Sequence, residues 1–146
     1  MAAPLGAAPI TIVEAGRART TIVVPRGRQP VAATDLRDYI EKATGARLRI
    51  AAENELPATN SEARIFIGAT SAGKRIGDLT KLQPEGFVIK REGGDVFIIG
   101  GDETDAGLAV DGTFYGVCEF LERFVGVRWL MPGPVGEVVP RQSTLR

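Results

Sequence analysis

The feature that most constrains the fold is a stretch near the end of the sequence in which large apolar residues recur at helical spacing. From Phe114 to Val125, the apolar side chains fall on one broad arc of a helix and the charged side chains on the other. Glu119 is spaced to pair with Arg123, and Asp111 or Thr113 can cap the first turn. A helix of this pattern must bury its apolar arc, so the chain needs a second layer to cover it.

A second amphipathic helix is predicted over Val31–Thr44, and Gly45 is its expected C-terminal cap. Short β-branched or apolar runs around the two helices predict strands. They are Ile10–Val13 in a hairpin with Thr20–Val24, Leu48–Ala51, Arg64–Gly68, Phe87–Lys90 in a hairpin with Val96–Ile99, Val127–Leu130 and Glu137–Val139. We therefore expect an α/β fold of the α+β type, with a mixed sheet and two amphipathic helices on one of its faces.

Composition excludes several classes of function. The 146 residues fit one domain, and 18 basic residues balance 18 acidic ones, so nothing favours nucleic acid or an anionic membrane as a partner. Histidine is absent, which rules out a Ser-His-Asp triad, a Cys-His pair and a histidine zinc site within this chain. The one cysteine, Cys118, falls within the apolar arc of the second helix and is interpreted as a small core residue.

Three patterns that could carry chemistry are interpreted more simply as a strand-to-helix turn, a solvated loop and a solvated helix face. Gly68–Arg75 matches a phosphate-binding loop until Arg75, where a serine or threonine hydroxyl should bind Mg²⁺. The acidic residues Asp102, Glu103 and Asp105 lack the spacing of a calcium loop. Glu119 and Glu122 lie on one helix face, whereas glycosidase carboxylates face each other across a cleft. We expect no catalytic residue, metal or cofactor in this chain.

Trp129 is the residue with the best claim to a function. It is the only tryptophan, and it precedes a turn rich in proline and glycine. Core packing is one interpretation; the other is contact with a neighbouring domain or its ligand, in which tryptophan is often dominant. We take Trp129, with Arg128 and Met131 beside it, as the candidate contact residues, and expect the Trp129 side chain to be at least partly exposed.

Several segments together resemble the N-terminal domain of family 67 α-glucuronidases and related predicted glycoside hydrolases. The segments are Asp111–Arg123 (DGTFYGVCEFLER), Gly126–Gly133 (GVRWLMPG) and Gly136–Pro140 (GEVVP), with weaker agreement at Leu36–Gly45, Ile65–Gly68, Glu85–Ile89 and Ile98–Asp102. A more divergent form precedes the barrel of family 20 β-N-acetylhexosaminidases. The resemblance implies a hexosaminidase N-terminal-domain-like fold, and it implies that the catalytic acids lie on a (β/α)₈ barrel outside this sequence.

The resemblance also implies an organisation and a role. Residues 1–9 are predicted to be a flexible leader, residues 10–140 a single accessory domain and residues 141–146 the start of a linker to a catalytic domain. The implied role is that of a non-catalytic domain of a secreted or periplasmic glycan-degrading hydrolase, with the catalytic barrel and oligosaccharide as its partners. The alternatives are a free-standing carbohydrate-binding module and, from the incomplete phosphate loop alone, a nucleotide-binding enzyme.

Overall fold

The structure combines one five-stranded mixed sheet with two helices and two small hairpins. The computed structural model describes residues 8–57, 59, 62–77, 81–102 and 111–146. The elements in chain order are β1 (Val13–Glu14), β2 (Arg17–Ala18), β3 (Thr20–Val24), α1 (Val31–Thr44), β4 (Arg49–Ala52), β5 (Ala63–Ile67), β6 (Phe87–Glu92), β7 (Asp95–Gly100), α2 (Gly112–Phe120), β8 (Arg128–Trp129) and β9 (Glu137–Val138). The main sheet has the order β4-β3-β5-β7-β6, and only β6 is antiparallel to its neighbour.

The prediction that Ile10–Val13 pairs with Thr20–Val24 in a hairpin is wrong. The antiparallel pair is instead β1 with β2, which closes over Ala15 and Gly16. Thr20–Val24 forms β3 and lies between two parallel neighbours with every residue buried. A strand buried on both faces shows no alternation of apolar and polar residues, so its sequence could not show which neighbour it pairs with.

Both helices pack on the same face of the sheet. Helix α1 begins and ends as predicted, and Gly45 ends it in the left-handed conformation with φ of 77°. Leu36 and Ile40 of α1, Val117 of α2 and Leu121 just after α2 are fully buried in one cluster with sheet residues such as Ile98. The coarse prediction of a mixed α/β fold with two helices is therefore confirmed.

The other face of the sheet is covered by loops instead of helices. Val23, Phe66 and Phe97 lie in register on three neighbouring strands and are buried there. The rings of Phe66 and Phe97 stack at a centroid distance of 4.8 Å. Leu56, Ala72 and Ile76 cover them, so this face forms a second and smaller apolar layer.

The start of α2 is held by a carboxylate from outside the helix. The sequence predicted that Asp111 or Thr113 caps this helix, but neither side chain accepts a hydrogen bond from its first turn. Asp102 instead accepts the backbone N–H of Thr113 at 2.8 Å and the Thr113 hydroxyl at 2.7 Å. A methyl group on Gly100 would lie 2.2 Å from the carbonyl carbon of Gly112. Gly100 and Gly112 thus let strand β7 and helix α2 approach at van der Waals distance. Asp102 pairs with the Thr113 N–H, which has no acceptor within the helix.

Helix α2 continues as one π-helical turn, Leu121–Val125, and Gly126 ends it with φ of 88°. The predicted ion pair of Glu119 with Arg123 is present at 3.8 Å. Neither helix of the described ranges is long and apolar enough to span a membrane.

The chain then returns to its beginning. Leu145 is buried and forms a β-bridge with Val13, and Gln142 donates from its backbone to the carbonyl of Ala43. Residues 141–146 therefore pack on this domain, while their role as the start of a linker stays a prediction. Of the other predicted segments, residues 1–7 of the leader and the acidic residues Glu103 and Asp105 lie outside the described residues.

Candidate functional site

The candidate site is built around the hairpin of β8 and β9, in which Trp129 pairs directly with Glu137. The turn between them needs glycine, because a methyl group on Gly136 would lie 2.1 Å from the carbonyl oxygen of Met131. The Trp129 side chain is 37% exposed, which confirms the prediction of partial exposure. Its cover comes in part from helix α1.

Tyr39 of α1 anchors the hairpin. Its hydroxyl accepts the indole N–H of Trp129 at 2.9 Å and donates to Oε1 of Glu137. The two rings meet edge to face, with centroids 5.4 Å apart and planes at 84°. Lys42, one turn further along α1, donates to Oε2 of Glu137 at 2.9 Å and lies 4.6 Å from the Tyr39 ring centroid. We call Tyr39, Lys42, Trp129 and Glu137 the hairpin latch.

The charges of the latch stabilise one another. The hydrogen bonds from Tyr39 and then Lys42 lower the pKa of Glu137 below its ordinary value. The hydrogen bond to Glu137 raises the pKa of Lys42. Burial, followed by the hydrogen bond to Glu137, raises the pKa of Tyr39, so the phenol stays protonated and keeps donating.

A crevice of about 330 Å³ lies beside the latch, between α1 and α2. Its lining is Asp35 and Tyr39 from α1, Phe114, Val117, Cys118 and Leu121 from α2 and its continuation, and Trp129. Asp35 is half-buried and, among the described residues, has no hydrogen-bond or ion-pair partner. Burial and then the neighbouring charge of Asp38 raise its pKa.

The tip of the hairpin exposes apolar side chains that this chain does not cover. We call Leu130, Met131, Val135 and Val138 the hairpin surface; all four are exposed, Val135 to 92%. Trp129 lies at its edge, next to the crevice. Large exposed apolar side chains beside an aromatic residue are typical of protein contact sites.

The three sequence candidates have different surroundings. Trp129 joins the hairpin to α1, and Met131 belongs to the hairpin surface. Arg128 donates through one guanidinium nitrogen to the backbone carbonyls of Glu122 and Val127, both at 2.7 Å. Within this chain its guanidinium group therefore stabilises the C-terminal end of the second helix, and its contact with another domain stays a prediction.

The loop that resembles a phosphate-binding motif has its own hydrogen-bond partners. The N–H of Gly73 donates to the Thr70 hydroxyl at 2.9 Å, and the N–H of Ser71 donates to the Glu53 carboxylate at 2.7 Å. Its last three residues, Gly73–Arg75, form a 3₁₀ turn. A carboxylate already occupies a position that a phosphate would need.

Cys118 is half-buried and lines the crevice, so it is less enclosed than a core residue. Burial, followed by the charges of Asp35 and Glu122, raises the pKa of its thiol. The thiolate, which is the nucleophilic form, is therefore disfavoured. Among the described residues, no group of three or more aspartate, glutamate or cysteine side chains is placed to hold a metal ion.

Sequence reasoning missed Asp35 and the partners of Trp129. By helical spacing Tyr39 falls on the apolar face of α1 and Lys42 on the polar face, and nothing in the sequence assigns a role to Glu137. One signal was available, since a tyrosine on a buried face needs a partner for its hydroxyl. The partner lies 98 residues away and could not be read from spacing.

We also compared the chain with known families and proteins. No family model matches it. No curated protein matches it either.

Proposed function

We propose that this chain is a non-catalytic accessory domain of a glycan-degrading glycoside hydrolase of the α-glucuronidase type. In this proposal it packs on a (β/α)₈ catalytic barrel of the same polypeptide through the hairpin surface. The resemblance of Asp111–Pro140 suggested the class, and the exposed apolar hairpin is the observation that carries the proposal. A secreted or periplasmic location belongs to the same proposal.

The geometry supports packing over chemistry. Leu130, Met131 and Val135 are large, exposed and close in sequence, and the latch holds the hairpin that presents them. Covering such side chains stabilises a complex by about 25 cal/mol for each Å² of apolar surface removed from water. A site wall provided by a second domain can also orient a polysaccharide for cleavage.

Three carboxylates of the described residues have structural partners. Glu137 belongs to the latch, Asp102 caps α2, and Glu119 pairs with Arg123 along one helix. Hydrolysis of a glycoside uses two carboxyl groups that face each other across the scissile bond. We therefore assign catalysis to the barrel and orientation or shielding to this domain.

The test uses the whole reading frame in which this chain lies. Its product should contain a barrel and hydrolyse aryl glucuronides or aryl hexosaminides, whereas the 146-residue chain should hydrolyse neither. Leu130→Asp should separate the two domains in limited proteolysis and lower activity. Val31→Asp is the matched control, because Val31 and Leu130 are both 72% exposed.

Both substitutions should leave the free energy of unfolding of the 146-residue chain within about 0.5 kcal/mol, since they change exposed side chains. A reading frame without a barrel would refute the proposal. Equal effects of Leu130→Asp and Val31→Asp on the whole protein would refute the assigned contact surface.

A carbohydrate-binding module is the second candidate, and the half-exposed ring of Trp129 beside the crevice favours it. Sugar rings stack on exposed aromatic side chains, and a binding module would use this one without a barrel. Titration of the 146-residue chain with xylo- and chito-oligosaccharides distinguishes the candidates. Saturable binding that Trp129→Ala abolishes would support the binding module.

A further inference from the structure

We infer that the crevice between α1 and α2 receives the guanidinium group of an arginine from the protein that covers the hairpin surface. The inference rests on the proposed function only in taking a protein as the partner of that surface. It assigns a ligand chemistry to the crevice, and that chemistry can be tested on this chain alone.

Aromatic walls are the first reason. Tyr39 and Trp129 stand at 84° to one another with ring centroids 5.4 Å apart, and Phe114 contributes a third ring to the lining. The hydrogen bond of 2.9 Å between Tyr39 and Trp129 holds two of these walls in place. Aromatic faces attract cations, and guanidinium groups are the cations that most often use them in proteins.

The same cluster already holds one cation of this chain. The Lys42 ammonium lies 4.6 Å from the centroid of the Tyr39 ring. Glu137 neutralises it through a hydrogen bond of 2.9 Å. The latch is thus a neutral unit, and Lys42 leaves no uncompensated positive charge to oppose a second cation.

An unpaired carboxylate is the second reason. Asp35 lines the crevice one turn before Tyr39 and, in the described part of the chain, makes no hydrogen bond or ion pair. Its neighbour Asp38 is compensated by Arg37 at 3.0 Å and Arg47 at 3.7 Å. Within the described ranges, one negative charge therefore remains at the crevice without a partner.

The half-buried position of Asp35 makes this charge costly in the free protein. Burial and then Asp38 raise its pKa, so its ionised form is disfavoured until a cation approaches. A cation docked in the crevice would favour the ionised form of Asp35 and offset both effects. The apolar floor formed by Val117 and Leu121 would exclude water from the pair.

Arginine fits this arrangement better than lysine or a neutral sugar. Its planar guanidinium group can stack on an aromatic ring while it donates two parallel hydrogen bonds to a carboxylate. Lysine offers a compact and strongly hydrated charge, which loses more on entering an apolar crevice. Arginine is also enriched at the energetic centres of protein interfaces, next to apolar surfaces such as the one at the hairpin tip.

The experiment titrates the 146-residue chain with N-acetyl-arginine amide and follows the fluorescence of Trp129, the only tryptophan. N-acetyl-citrulline amide is the neutral probe of nearly the same shape. We expect saturable quenching by the arginine probe in the millimolar range and no saturation by the citrulline probe. Asp35→Asn should weaken the binding about tenfold.

Asp38→Asn is the matched control, because it removes another carboxylate of α1, one that already has Arg37 and Arg47 as partners. It should change the affinity for the arginine probe less than twofold. Thermal melts followed by circular dichroism would show that both variants are folded, and calorimetry with Trp129→Phe would show that the signal comes from the crevice.

Equal binding of the two probes, or full affinity in Asp35→Asn, would overturn the inference. Neither result depends on a barrel. If the reading frame encodes no barrel but the arginine probe binds through Asp35, the proposed function fails and the crevice assignment stands. If a barrel is present and docks but the arginine probe does not bind, the crevice assignment fails and the proposed function stands.

Discussion

The core around α2 and the hairpin of β8 and β9 are adjacent in sequence but held together by different forces. Leu121 is 1% exposed and lies among apolar side chains of both helices and the sheet. From Leu130, nine residues later, the hairpin turn leaves its apolar side chains in solvent, and three polar contacts of Tyr39 and Lys42 fix its position. Burial maintains the first region and hydrogen bonding the second.

This difference separates stability from binding. Shortening a side chain in a close-packed core lowers the free energy of unfolding, whereas shortening an exposed side chain changes it little. The apolar residues of the hairpin therefore add little to the stability of this chain and remain available to a partner. The latch holds them in a defined place without burying them.

The largest effect in the comparison should come from the backbone contact beneath α2. In Gly100→Ala the new methyl group would lie 2.2 Å from the carbonyl carbon of Gly112, and neither backbone can move without displacing the sheet or the helix. We expect a loss of about 4 kcal/mol or more in the free energy of unfolding, measured by urea denaturation.

Gly94→Ala is the control for Gly100→Ala, because nothing lies within 4 Å of the methyl group that it adds. Its effect should stay within about 1 kcal/mol. A tolerated Gly100→Ala would show that the start of α2 can move away from the sheet.

Leu121→Ala should cost about 2–5 kcal/mol, because it opens a cavity in a fully buried site. Glu122→Ala, at the next and half-exposed position, should cost less than about 1 kcal/mol. The two values come from guanidinium chloride melts. Similar losses in the free energy of unfolding for Leu121→Ala and Glu122→Ala would show that burial does not stabilise the region around α2 as described.

Trp129→Ala should cost about 1 kcal/mol, the size of one lost hydrogen bond and an edge contact. A core tryptophan would cost about 3–5 kcal/mol instead. Urea melts of the 146-residue chain measure this. In the unsubstituted chain, acrylamide should quench Trp129 fluorescence efficiently; a protected, blue-shifted tryptophan whose removal unfolds the chain would place the hairpin in the core.

The smallest effect should be the acid sensitivity of the latch. The pKa of Glu137 lies below its ordinary 4.5, so its stabilising contribution is present above that pH and is lost as pH falls through the lowered value. Thermal melts at decreasing pH should therefore show a smaller loss of Tm below pH 4.5 in Glu137→Gln than in the unsubstituted chain. Parallel Tm curves for the two would indicate that Glu137 contributes nothing to holding the hairpin.

The sequence was informative wherever periodicity and local turns decide the structure. Helix α1 begins and ends at the predicted residues, and the predicted hairpin of Phe87–Lys90 with Val96–Ile99 forms as β6 and β7. The faces of α2 were also largely correct, although Phe124 was predicted in the apolar arc and is exposed. The π-helical turn Leu121–Val125 shifts the register of that final turn, so a pattern drawn with 3.6 residues per turn misplaces this ring.

Contacts between distant residues could not be predicted. The pairing of β3 with β5 instead of with the residues before it depends on the whole sheet. In the same way, Trp129 was identified as a candidate by its surroundings in the sequence, but Tyr39 and Asp35 come from a helix about 90 residues earlier. Composition shows which side chains need partners, and only the fold shows which partners they receive.

The bridge between Val13 and Leu145 affects the order of events during protein synthesis. The turn at Ala15 and Gly16 is held by Thr144 and Ser143, and Ala15 and Thr144 are 129 residues apart. Loop closure over such a distance is slow, and on the ribosome it must wait until both partners have emerged. Nascent chains that stop short of Leu145 should therefore remain sensitive to protease around Ile12 and Val13, even when the helices and the main sheet have already formed.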